Sequence, residues 1–130
     1  MVQKKQQKER KAFEKWSMPV LKKLQDVLLL NDFFPLEIEP SEKDDTSECL
    51  VAYPYRSITV RYSNNLLQDW KKKKMDLVLS VLIHEMCHPI TDPLYCKAVS
   101  RYAGKEEIED EREGLTDHLA NIIIKNIKII

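Results

Sequence analysis

The sequence predicts an α+β domain, with helices at both ends and a small sheet between them. Three observations predict it. Apolar residues recur at three- and four-residue steps near the start and the end of the chain. Between these lie short stretches rich in β-branched and aromatic residues, some alternating apolar with polar positions. A long apolar segment then carries two histidines four residues apart. At 130 residues and 43% hydrophobic, the chain fits one domain with a modest core.

The elements follow in order. Residues 1–12 read as a basic, mobile lead-in, and residues 13–130 as the folded domain. Phe13, Trp16, Val20, Leu21, Leu24 and Leu28 share one helical face. Pro19 interrupts it, so the helix either kinks there or restarts with Ser17 as N-cap, ending near Asn31. Leu36 and Ile38, alternating with Glu37 and Glu39, suggest a short strand. Residues 40–48 form a polar loop. The stretches CLVAYPY and SITVRY read as two more strands, and Pro54 makes the first an edge strand or ends it early. Short connections predict a mainly antiparallel three-stranded sheet. Leu66, Leu67 and Trp70 suggest a short helix. Residues 76–88 are apolar nearly all round, which predicts a buried central helix, ended by Pro89 and Pro93. Tyr95 to Tyr102 read as a short helix. A last helix spans about Glu106 to Ile127, with Ile108, Leu115, Leu119, Ile122 and Ile123 on its broad apolar face.

Charge excludes some functions. Lys plus Arg and Asp plus Glu each number 21, so the net charge is zero. No nucleic-acid partner held by bulk positive charge is expected. The charges are sorted into blocks: residues 1–23 carry eight positive and two negative groups, and residues 104–117 seven negative and two positive. These runs read as solvated faces. No apolar run approaches the roughly 18 residues of a membrane helix, so no membrane partner is expected. The N-terminus shows no signal-peptide pattern, and three cysteines without paired spacing fit reduced thiols, which together predict a cytoplasmic protein.

The chemistry concentrates in His84-Glu85-Met86-Cys87-His88, an HExxH motif on the predicted central helix. Positions i and i+4 lie one turn apart on one face, so both imidazoles can reach one ion. Glu85 lies about 100° round the helix, beside the metal, where its carboxylate can take a proton from a water the metal activates. Two of the chain's three histidines fall here. A histidine pair inside an apolar helix needs partners for its polar groups. Cys87 points off the histidine face and reads as a buried apolar residue. A two-histidine site needs a third protein ligand. The donors downstream are Asp92, the acidic cluster with Glu109 and Glu113, Asp117 and His118. Asp92 is tight across a proline. Thr91 and Leu94 occupy the glycine and third-ligand positions of HExxHxxGxxH, so that extended motif is absent. Glu113 and Asp117 lie one turn apart, so one can bind metal while the other bonds the free ring nitrogen of a histidine. His118 falls off that stripe. Tyr95, Tyr102 and Arg112 are candidates for stabilising an oxyanion.

HEMCH, with Glu113-Gly-Leu-Thr-Asp117 beginning 25 residues after His88, resembles the gluzincin arrangement of HExxH plus a glutamate helix carrying ExxxD. The stretch EGLTDHLANIII is similar to the third-ligand helix of small phage-type metallopeptidases. The order of helix, acidic strand, strand pair and apolar HExxH helix also resembles minimal gluzincins across nearly the whole chain. The resemblance implies a zincin-like fold and one Zn2+ ion held by His84, His88 and Glu113. It implies Glu85 as general base and acid, and Asp117 as the partner of a ligating histidine. The function it implies is a zinc metallopeptidase acting on polypeptides, with an edge strand such as residues 57–62 holding an extended peptide by strand addition. The alternative is a zinc-stabilised binding or regulatory module without hydrolysis, but such a module has no need of Glu85.

Overall fold

The computed structural model describes residues 2–52, 56–99 and 105–128. Among them, four helices surround one three-stranded sheet. Helix α1 spans Val2–Val27 and already includes residues 2–12; Glu9 meets Lys71 at 2.9 Å. Pro19 lies inside α1 and the helix does not restart: the buried Ser17 hydroxyl bonds back to the Glu14 carbonyl at 3.2 Å. Phe13, Val20, Leu21 and Leu24 are buried, as the apolar spacing predicts. The helix ends in a Schellman turn. Leu30 N–H reaches the Gln25 carbonyl, Leu29 N–H reaches that of Asp26, and Leu29 takes φ 58°.

Strands β1 (Leu36–Pro40), β2 (Glu48–Ala52) and β3 (Ser57–Tyr62) form a sheet ordered β1-β3-β2. β2 and β3 are antiparallel, with Cys49 opposite Val60. β1 and β3 are parallel, with Leu36 opposite Ile58 and Pro40 opposite Tyr62. This corrects two expectations. The sheet is mixed, not mainly antiparallel, because the polar loop 41–47 carries the chain past the end of β3 before β2 begins. The strand at residues 57–62 is therefore central, and the edge strand on the hairpin side is β2. Alternation still reads correctly in β3: Ile58, Val60 and Tyr62 are buried, and Thr59 and Arg61 are half-buried.

Helix α2 (Asn64–Lys71) starts at Ser63, whose hydroxyl accepts the Leu66 N–H at 3.1 Å. Its neighbour Ser47 accepts the Ser63 N–H at 3.0 Å, and the Asp44 carbonyl accepts Asn65 N–H at 2.9 Å. The polar loop is thereby pinned to the start of α2. Phe13 packs edge-on to Tyr62 and Trp70, with ring centroids 4.8 and 5.4 Å apart. This cluster seats α1 against the sheet and α2.

Helix α3 (Met75–Val99) is the buried centre, but it runs through both Pro89 and Pro93. The expectation that the prolines end it at His88 is wrong. Pro89 cannot donate to the Glu85 carbonyl, yet packing on several sides outweighs that lost bond. Val78, Leu82, Ile83, Met86 and Cys87 are all within a few per cent of full burial. The Tyr95–Tyr102 stretch is in part the end of α3; the side chains of Tyr95, Cys96 and Tyr102 lie outside the described residues. Helix α4 (Lys105–Asn126) packs along α3 by only part of the apolar face the sequence suggests: Ile123 is buried and Ile108 and Leu119 are half-buried. Thr116, Ala120 and Ile123 are buried, whereas Leu115 and Ile122 are 49% and 47% exposed. The helix is turned to bring small residues, and Glu113 with Asp117, over α3.

Candidate metal centre

Because α3 does not break at Pro89, His84 and His88 keep true helical spacing. Their Nε2 atoms lie 3.2 Å apart. α4 crosses above them. Glu113 Oε2 lies 2.9 Å from His84 Nε2, and Glu113 Oε1 lies 3.6 Å from His88 Nε2. The fit of α4 on α3 is set next to the site by two buried threonines: the Thr91 and Thr116 hydroxyls are 2.8 Å apart, and that of Thr116 also donates to the Arg112 carbonyl. A larger residue at 116 would hold the helices apart.

The other face of each imidazole is occupied. Asp117 Oδ1 accepts from His84 Nδ1 at 2.6 Å, and Asp92 Oδ1 accepts from His88 Nδ1 at 3.0 Å. An ionised carboxylate only accepts, so both Nδ1 atoms carry the proton and a neutral ring presents a bare Nε2 lone pair. Two such lone pairs and the Glu113 carboxylate point at one another. This converging set could hold a cation. Tetrahedral zinc, with ligand bonds of about 2.0–2.2 Å, spaces neighbouring ligand atoms by roughly 3.3 Å. The separations of 2.9, 3.2 and 3.6 Å bracket that value. Two imidazoles and a carboxylate also suit zinc chemically.

Glu85 stands beside this set. With His84 and His88 it forms a group whose potential ligand atoms all lie within 4.8 Å. It is 6% exposed, and its Oε2 has no hydrogen-bond partner among the described residues. Burial pushes its carboxyl up to about 8; the charge of His88 pulls it down, and Glu113, Glu48 and Asp92 add to the rise. His88 is shifted upward as well. Burial lowers it, but the bond to Asp92 and the charges of Asp92, Glu85 and Glu113 outweigh burial.

A cavity of about 500 Å³ opens onto the imidazoles, walled on one side by Glu48 and Cys49 of β2 and on the other by Arg112 and Glu113. Burial chiefly, then Glu85 and Asp92, raise the Cys49 thiol well above its ordinary range. The guanidinium of Arg112 lies 3.3 Å from Glu113 Oε1 and 3.9 Å from Asp92 Oδ1, bridging two of the three carboxylates that touch the histidines.

The structure thus brings His84, Glu85, His88, Glu113 and Asp117 together. Glu109 does not line the imidazole cavity. His118 faces a separate apolar groove with Ile90, Leu115 and Leu119. Cys87 is fully buried, a free thiol pushed up to about 12 by burial. Asp92, which the sequence offered only as one candidate donor, partners His88 at Nδ1. The signal was its i+4 spacing from His88, which counts only if the helix continues through Pro89. Arg112, a sequence candidate for stabilising an oxyanion, lies against Glu113 and Asp92, a contact that the sequence does not signal. Comparisons with known families, curated proteins and solved structures return no match for this chain.

Proposed function

We propose that this chain is a zinc-dependent metallopeptidase of the gluzincin type, with His84, His88 and Glu113 as ligands. One observation carries the reading: both imidazoles commit Nδ1 to a carboxylate and turn Nε2 toward each other and toward Glu113. When bound there, zinc supplies Lewis acidity, polarising a carbonyl and making a water more acidic. Asp117 and Asp92 hold the two rings in the tautomer that leaves Nε2 free. Glu85 supplies the proton-transfer group. Its carboxylate is desolvated and unpaired, which raises its basicity, so it can accept a proton from water and later deliver it to the leaving amine. A purely structural site would leave the burial of Glu85 without a purpose.

The substrate in this reading is an extended polypeptide. β2, and not the central residues 57–62, offers the edge, since its outer side borders the cavity at Glu48 and Cys49. Backbone pairing along residues 48–52 would lay the peptide over the imidazoles. Among the described residues no helix is long and apolar enough to cross a membrane. Free thiols at Cys49 and Cys87 suit a reducing compartment, the cytoplasm.

The test is zinc content by mass spectrometry, paired with cleavage of a broad peptide set. The wild type should hold one zinc and cut. Glu85→Gln should keep zinc and lose about 10²–10⁴-fold in rate. His84→Ala should lose the metal. Zinc held by wild type and Glu85→Gln alike, with no cleavage by either, would instead identify a non-catalytic module. A wild type that binds no zinc overturns the assignment.

A further inference from the structure

A second cavity, of about 440 Å³, meets the first along Thr46, Ser47, His84 and Glu85. The two form one cleft with the HExxH glutamate at the junction. The walls of the second are mixed: Leu66 from α2, Leu77 and Val81 from α3, and Ala120 and Ile124 from α4 give aliphatic patches among serine, threonine and asparagine side chains. Its charged groups are all carboxylates. Asp45 comes from the polar loop, Asp69 from α2 and Asp117 from α4, with Glu85 beside them. Among the described residues no lysine or arginine lines it, though Lys74 Nζ, on a side chain 55% exposed, makes a long ion pair of 3.9 Å with Asp69 Oδ1 from outside. Glu85, whose buried Oε2 has no hydrogen-bond partner among the described residues, lines both cavities.

Aliphatic patches beside Asp45, Asp69 and Asp117 suit a side chain with a long aliphatic stem ending in a cation. We propose that this cavity is the subsite for a lysine or arginine side chain of the peptide substrate, next to the bond that is cut. The proposal rests on the peptidase reading for its substrate, and it adds the selectivity. The stem would lie against Leu66, Val81 and Ala120. The cationic head would reach Asp69 of α2 and Asp45 of the loop pinned to the start of that helix. The first cavity differs in that Arg112 lines it and lies against Glu113 and Asp92.

The test uses zinc-loaded Glu85→Gln protein, so that binding is read without turnover. Peptides identical except for one position carry lysine, arginine, norleucine or glutamate there, and that position is moved along the peptide in successive sets. At one position lysine and arginine should bind about five- to tenfold tighter than norleucine, and glutamate weakest. Adding Asp69→Asn or Asp45→Asn should shrink the lysine-to-norleucine ratio toward one while leaving norleucine binding unchanged. Two separate variants are used, and the melting temperature of each confirms folding. Equal binding of lysine and norleucine at every position overturns the subsite, as does absence of binding or an equal loss of both in Asp69→Asn and Asp45→Asn. Wild-type enzyme separates the two ideas. Cleavage indifferent to lysine and arginine defeats the subsite and leaves the peptidase standing; selective binding with no cleavage of any peptide does the reverse.

Discussion

Asp92 and Asp117 hold their imidazoles from different elements. Asp92 comes from the next turn of the same helix and is 18% exposed at its side chain; Asp117 comes from α4 and is 67% exposed. Each fixes one ring by accepting a hydrogen bond from its Nδ1. Replacing such a partner typically weakens metal binding 10- to 100-fold. Asp92→Asn should lie at the upper end of that range and Asp117→Asn at the lower, because water competes more effectively at the exposed carboxylate. Competition with a chromophoric chelator measures both, and equal zinc affinity in Asp92→Asn and wild type would remove its assigned role. Glu85 gives a second residue-scale expectation. Its carboxyl rises from 4.5 to about 8 in the folded protein, chiefly by burial. The folded state therefore binds that proton more tightly than the unfolded chain. The resulting stability is complete below about pH 4.5 and is lost as pH climbs through 8. The upward shift of His88 acts in the same sense. Chelator-treated protein should thus melt lower at pH 8 than at pH 5, and Glu85→Gln should flatten most of that slope. A wild-type melting temperature that holds steady or rises across the window would contradict the account.

Helix α4 shows where periodicity misleads. Its apolar stripe through Leu115, Leu119 and Ile122 is the most hydrophobic face, yet Leu115 and Ile122 stay half in water. The face actually turned to α3 runs Glu113, Thr116, Ala120, Ile123, and small side chains let the helices approach closely enough for Glu113 to reach the imidazoles. The element was legible from the sequence, and so was the Glu113–Asp117 stripe, because spacing by four needs no knowledge of packing. Of the buried face only Ile123 was legible, since the small and polar residues Thr116 and Ala120 carry little hydrophobic signal. The same division holds elsewhere. Strand positions were readable from alternation, but strand order was not, because nothing in residues 41–47 says that the loop passes beyond β3. HExxH was readable, whereas the helix beyond His88 was not, since Pro89 signals an end that core packing overrides. The rotation of α4 has a direct check. Thr116→Leu should destabilise the protein by about 1–3 kcal/mol through overpacking. It should also weaken zinc binding by lifting Glu113. Leu115→Gln, one residue away, should change stability by no more than about 0.5 kcal/mol. Urea denaturation of both variants decides it, and a larger loss from Leu115→Gln would restore the face that periodicity favours.

At the scale of the whole molecule, the site joins the most firmly packed part of the fold to one of the least. α1, β3, α2 and the first half of α3 share a continuous core around Phe13, Tyr62 and Leu82. α4 adds only Ala120 and Ile123 to that core, with Leu119 partly packed against it. Near its N-terminal half, the recorded ties to α3 are polar: the threonine pair, Arg112 with Asp92, and Glu113 and Asp117 on the histidines. With four carboxylates near two imidazoles and one guanidinium bridging two of them, this seam carries excess negative charge whenever Glu85 is ionised. A divalent cation bound by His84, His88 and Glu113 would offset that charge and cross-link the two helices. A ligand that binds only the folded state stabilises it by mass action, about 2.7 kcal/mol when present at 100 times its dissociation constant. The gain should not fall evenly. Regions with few apolar contacts open first, so removing zinc should release α4 well before β3 or α1. Hydrogen exchange followed by mass spectrometry, with and without chelator, should show residues 105–126 losing protection by an order of magnitude or more while residues 57–62 change little. A uniform loss across the chain would mean that the cation sustains the entire fold. No change on chelation would mean that α4 is held by its own packing and that the carboxylate seam needs no counter-charge.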